Sequence, residues 1–207
     1  MDVTKRCQPI DVLRIWLASY KKRKQLDRRH CITYRFLMKT SEDLETVRRL
    51  IIKLGATDAK VINIDQVVVN HWVRWKCRFG CPSYNTSLMC PPYSPTPEET
   101  RTLLGEYEYA ILFSFQSSTS RDIAADIERQ VFLQGYYAAF ALTFGSCHLC
   151  DTCNLDAGYC RHPQETRPSM ESCGINVFAT AANAGYPLTV KTSRDQEYLR
   201  FGLLLVT

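Results

Sequence analysis

Ten cysteines in 207 residues, eight of them in two tight groups, constrain this chain more than any other feature of its sequence. The first group is Cys77, Cys81 and Cys90; the second is Cys147, Cys150 and Cys153, followed by Cys160 and Cys173. Charges at Asp2, Lys5, Arg6, Asp11 and Arg14 interrupt the N-terminus, so no apolar signal segment is legible there. No apolar run approaches the roughly 18 residues of a membrane helix. The expected setting is a reducing cytoplasm away from membranes, where clustered cysteines read as metal ligands ahead of disulfides.

The spacing within each group narrows the chemistry. Cys147-His-Leu-Cys150-Asp-Thr-Cys153 places three thiols on one short loop, the C-x2-C-x2-C tripod that wraps three corners of a [4Fe–4S] cubane. Zinc is usually held by separated C-x2-C pairs, and a third thiol at the same interval adds nothing to a tetrahedral site, so zinc is the alternative reading. Cys160 and Cys173 are the candidate fourth and fifth ligands. Cys160 departs from the ferredoxin pattern, because six residues separate it from the tripod and Arg161, not Pro, follows it. In the first group Gly80 permits a tight turn and Pro91-Pro92 stiffen the chain after Cys90. Three thiols plus five make eight, the number that two four-ligand clusters require. Cys90 as a buried core thiol remains the plainer alternative. Cys7 and Cys31 have no partner at ligand spacing and read as ordinary thiols, and His148 and His162 are weaker ligand candidates.

The net charge of +5 does not describe a basic surface. Lys21, Lys22, Arg23, Lys24, Arg28 and Arg29 set against Asp27 already supply it, leaving the rest of the chain balanced. Residues 21–29 are therefore the only stretch that suggests RNA or an acidic partner, and a solvated run is the simpler reading. With 45% hydrophobic and 23% charged residues the chain has an ordinary globular composition, which excludes disordered and collagen-like classes.

Residues 1–37 read as an extension with an amphipathic helix and the basic run, and 38–207 as the cysteine-rich domain. Ser41-Glu-Asp-Leu44 opens a helix that runs to Gly55, and Thr96-Pro-Glu-Glu99 opens a second. A third is expected over 121–134 and a short one over 175–184. Strands are expected at 110–115 and 201–206, one or two over 60–65 and 66–69 leading through Trp72 and Trp75 into the first cysteines, and a further strand over 136–142, where a helical continuation is the alternative. The expected fold is a single α/β or α+β domain, a mixed sheet flanked by helices with two cysteine-rich metal loops.

Lys76-Cys77, Cys81-Pro82, Met89-Cys90-Pro91-Pro92, Gly145-Ser-Cys147 through Cys153, Cys160-Arg-His-Pro163 and Arg167-Pro-Ser-Met-Glu171 together form a recognisable set. Over about residues 42–207 the chain resembles the uncharacterised family of predicted metal-binding proteins, cysteine-rich domains of unknown function found mainly in anaerobic microbes. The resemblance implies a metal or iron–sulfur site on the matching cysteines and implies no reaction. Residues 1–37 have no counterpart in that family, so they are either an extension or a segment upstream of a true start at Met38. Arg161 and Arg167 have two readings, as turn chemistry or as cations balancing an anionic cluster.

Three functions compete on this sequence. One is electron transfer or redox chemistry through one or two [4Fe–4S] clusters, with a partner protein the sequence does not identify. The second is an enzyme with an open iron or a reactive cysteine such as Cys160 or Cys173. The third is a zinc-stabilised binding module. No Ser/His/Asp arrangement, phosphate-binding glycine loop or HExxH motif supplies another active site.

Overall fold

A computed structural model describes residues 41–116, 123–193 and 196–206. The expectations for residues 1–37, including Cys7, Cys31, the basic run and a start at Met38, lie outside the described residues.

Helix α1, Ser41–Lys53, carries Glu42 and Asp43 in its first turn and Lys53 in its last, which matches the helix dipole. Gly55, at a φ of 117°, ends it. Strand β1, Asp58–Asn63, follows, and helix α2, His71–Gly80, carries Cys77 in its last turn. Helix α3, Pro97–Leu104, is closed by a capping box between Thr96 and Glu99. Strand β2, Tyr109–Gln116, leads to helix α4, Ala124–Phe132, and the short strand β3, Phe140–Leu142. Helix α5, Val177–Asn183, and strand β4, Leu199–Val206, complete the described elements.

The sheet order is β1-β2-β4-β3. All three pairings are antiparallel, where a mixed sheet was expected, and the α+β alternative is the one realised. Strands β2 and β3, linked through α4, run the same way, but β4 inserts between them and pairs antiparallel with both. Helices cover both faces. Leu44, Val47 and Ile51 of α1 and Ile127 and Val131 of α4 pack with Ile111, Phe113, Phe115, Leu204 and Val206. Leu104 of α3 and Ala181 of α5 pack on the other face with Ala110, Leu112, Leu203 and Leu205. Burial on both sides is why β2 and β4 read as unbroken apolar runs. Gly202 of β4 faces Phe113 of β2, and a Cβ there would run into the Phe113 ring and come within 2.9 Å of the Leu142 carbonyl.

The stretch read as a strand leading into the first cysteines divides. Residues 64–66 form a 3-10 turn, Val69 pairs with Ile175 through one bridge, and Trp72 and Trp75 lie on α2. β-branched residues favoured a strand, but tertiary pairing ends at Asn70, and over His71–Gly80 only Val73 is buried with Arg74 and Cys77 half-buried, the i, i+1, i+4 spacing of one helix face. The expected strand over 136–142 shrinks to β3.

Candidate metal centre

Two segments without helix or strand, 81–96 between α2 and α3 and 143–170 after β3, carry seven of the eight candidate thiols between them and α2. The longer excursion is closed at its base. The Thr143 N–H donates to the Pro168 carbonyl and the Met170 N–H to the Thr143 carbonyl, a parallel bridge that brings both ends of the excursion to one place.

Within the first group, Cys77 is half-buried, Cys81 at the C-cap of α2 is exposed, and Cys90 is buried at 6%. The Cys81 N–H donates to the Cys77 carbonyl, which fixes their relative position. Tyr93 and Ser94 N–H groups both donate to the Cys90 carbonyl, so Cys90 sits in a tight turn. Arg74, one turn before Cys77 on α2, donates to the carbonyls of Ser94 and Ser172, at 3.1 and 3.3 Å, and pins the Cys90 segment and the 171–173 turn to the helix.

In the second group Cys147, Cys150, Cys153 and Cys160 are all half-buried, and all four line one cavity of about 450 Å³. The His162 N–H donates to Cys160 Sγ at 3.3 Å. The Leu88 N–H donates to Cys153 Sγ at 3.4 Å, which joins the two groups. A second, larger cavity of about 1370 Å³ is lined by Cys77, Cys81 and Cys147, so Cys147 borders both spaces.

The thiols also meet electrostatically. Burial pushes Cys90 up to about 11, and the neighbouring thiols of Cys81, Cys77, Cys147 and Cys153 push in the same direction. Cys77 is raised by burial, then by Cys81 and Glu171, against the opposing Arg74. Thiols drawn from both groups therefore lie within electrostatic reach of Cys90. That donor set suits a bound cation, whose charge reverses this penalty. Among the described residues no three His, Cys, Asp or Glu side chains already close as ligands around one ion; Cys77, Cys81, Cys147, Cys150, Cys153 and Cys160 line the two cavities, and Cys90 lies buried outside them.

Cys173 stands apart from the thiols that line the cavities. It is 1% exposed in the core cluster with Met170, Ile175 and Leu203, and burial pushes it up to about 11. His148 contacts Ser146 Oγ and His162 pairs with Glu165, each on the exposed side of the loop. Arg167 bonds Glu128 bidentately and donates to the carbonyls of Pro163 and Thr166, so its structural reading is the one realised. Arg161 likewise ties the loop, donating to the Thr152 carbonyl at 3.1 Å.

The spacing of cysteines gave no warning of Glu171. Its Oε2 is shut off from solvent with no hydrogen-bond partner, and burial raises its pKa. It lines the larger cavity together with Cys77 and Cys81. The one available signal was an acid set directly between Met170 and the Ser172-Cys173 pair, a surrounding that does not suit a solvated side chain.

The fold is an α+β domain that gathers thiols from two segments beside its cavities. Residues 60–206 match the family of predicted metal-binding proteins designated DUF2284, and the chain belongs to that family. No curated protein and no solved structure matches it. Among the described residues no helix is long and apolar enough to cross a membrane.

Proposed function

We propose that this metal-binding protein carries two [4Fe–4S] clusters and serves electron transfer or redox chemistry. The observation that carries the reading is the single cavity bordered by Cys147, Cys150, Cys153 and Cys160. A tripod with a fourth thiol at the same space is the full ligand set of one cubane. Cys77, Cys81 and Cys90 are three ligands of the other. The N–H donors to Cys153 and Cys160 are of the kind that set a cluster's potential.

A second reading, an enzyme acting on a small molecule beside the first group, is favoured by the larger cavity. Trp72, Phe178 and Tyr198 line it along with Cys77 and Cys81, an apolar wall next to two thiols.

The test is anaerobic purification followed by iron, zinc and acid-labile sulfide analysis. About eight iron and eight sulfide per chain are expected, four of each per cubane. Zinc without sulfide would overturn the iron–sulfur reading and leave a zinc-stabilised module.

A further inference from the structure

The first group offers three thiols, and a four-ligand centre requires one more donor. We propose that Glu171, and not Cys173, is the fourth protein ligand of the centre built on Cys77, Cys81 and Cys90; this rests on the metal reading of that group.

Three residues compete for the position. Cys160 already borders the tripod's cavity. Neither cavity includes Cys173 or Cys90, but Cys173 belongs to the apolar core cluster, whereas Cys90 stands outside it with Cys77 and Cys81 within electrostatic reach. Its Sγ lies 4.0 Å from Ser172 Oγ, and its carbonyl accepts from Thr100 Oγ1 at 2.8 Å, which places it in the wall of the core. Glu171 lines the larger cavity with Cys77 and Cys81 and lies within electrostatic reach of the Cys77 thiol.

One of the two carboxylate oxygens has an unmet need at that place: the Ser169 side chain and the Glu171 backbone hydrogen-bond the carboxylate, but Oε2 has no partner. Among the described residues only Thr143 Oγ1 and Glu171 Oε2 are buried side-chain oxygens or nitrogens without a hydrogen-bond partner. An unpaired buried acceptor costs about 1–3 kcal/mol, more when charged. Thiolates nearby would add repulsion, which a shared cation removes. The Arg74 guanidinium has its Nη1 on the carbonyls of Ser94, Pro95 and Ser172.

Glu171 is also held in place, as a ligand has to be. It opens the 3-10 turn Glu171–Cys173, which Ser169 braces: the Ser172 N–H donates to Ser169 Oγ at 3.1 Å, and Ser172 Oγ donates to the Ser169 carbonyl at 2.9 Å. The turn ends at Gly174, whose φ of 82° and contact with Pro97 leave no room for a Cβ. The Asn70 N–H donates to the Gly174 carbonyl, tying this turn to the start of α2.

A carboxylate holds iron less tenaciously than a thiolate. The first-group centre, held by three thiolates and Glu171, would therefore release iron more readily than the all-thiolate tripod centre.

The test loads the full chain anaerobically with ferrous iron and sulfide and follows iron content, electron paramagnetic resonance and iron loss to a chelator. Variants are C90A, C173A, E171Q and E171C. C90A is expected to lose about half the iron, one cubane of two. E171Q should lose that same iron at least about tenfold faster than the parent, since even outer-shell changes cost 10–100-fold in metal affinity. E171C should restore retention with an altered resonance signal, and C173A should match the parent. E171Q matching the parent, or C173A losing the centre, would overturn the assignment. C90A retaining all its iron would refute the metal reading of the first group itself. If E171Q fails to fold, E171C decides, since a thiolate ligand there restores the centre only if the position faces it.

Discussion

Replacing Arg167 by Ala removes the clamp between the cysteine-rich excursion and the sheet. Its Nε lies 2.7 Å from Glu128 Oε2 and its Nη2 contacts Oε1, a bidentate pair whose side chains are only 17% and 15% exposed. The Ala141 N–H also donates to Glu128 Oε2, so the pair joins α4, β3 and the loop. Deleting one partner strands a carboxylate with one donor. For buried pairs that costs roughly 3–5 kcal/mol, and partial exposure puts R167A near the lower end, about 3 kcal/mol. For a chain of this length the midpoint should fall by about 6–12 °C, at 2–4 °C per kcal/mol. Thermal unfolding of the metal-free, reduced protein measures the midpoint, and urea unfolding the free energy. R167K keeps the charge but loses the fork, and should fall between parent and R167A. Arg167 also donates to the carbonyls of Pro163 and Thr166, downstream of Cys160. R167A should therefore also release metal faster from the tripod side. A loss under about 0.5 kcal/mol, the range of ordinary surface changes, would refute the reasoning.

Three other outcomes follow from the same structure. G202A should cost about 1–3 kcal/mol by overpacking against Phe113, whereas a neutral result in urea unfolding would mean that β2 and β4 are not paired in this register. In the metal-free folded protein at about pH 8, iodoacetamide should label exposed Cys81 well before Cys173. Cys173 is buried and raised to about 11, so its thiolate fraction is about a thousandfold below one, and mass spectrometry showing equal rates would refute the burial. C150S should remove the tripod centre, seen as loss of iron and sulfide together, while C7S and C31S leave metal content unchanged.

Much of the scaffold was legible because it rests on local rules. The Ser41 start, the Thr96–Glu99 capping box and the apolar run of β2 are short-range signals, and each marks its element within a few residues. Sheet pairing was not legible, since β4 arrives between β2 and β3 from the end of the chain and nothing local announces an insertion. Helix α2 was hidden because Trp72, Val73 and Trp75 favour strands in isolation; the pairing of Val69 with Ile175 and the clamp from Arg74 decide otherwise. At the site, cysteine spacing located the tripod and the first group. Spacing treats all thiols alike, however, and burial separates Cys173, inside the core, from Cys160, at a cavity. Glu171 was missed for the converse reason: its interest lies in a partner it lacks, which only three-dimensional accounting exposes.

The sheet and the cysteine segments are ordered by different forces. Helices seal both sheet faces with fully buried side chains such as Ile111, Leu112, Leu203 and Leu204, and that core needs no metal. Residues 81–96 and 143–170 have almost no regular structure, and the thiols there are mostly half-buried. Long irregular segments in a compact domain are uncommon, and functional when they occur. Here their order depends on turns, on Arg161 and Arg167, and on N–H donors to Cys153 and Cys160. A neutral thiol is a weak acceptor, whereas a thiolate is a strong one. On the proposed reading, metal binding would turn these thiols into thiolates and so tighten the same N–H contacts that hold the loops. Loop order and metal affinity would then be one coupled quantity, with the sheet beneath as the fixed frame on which that coupling acts.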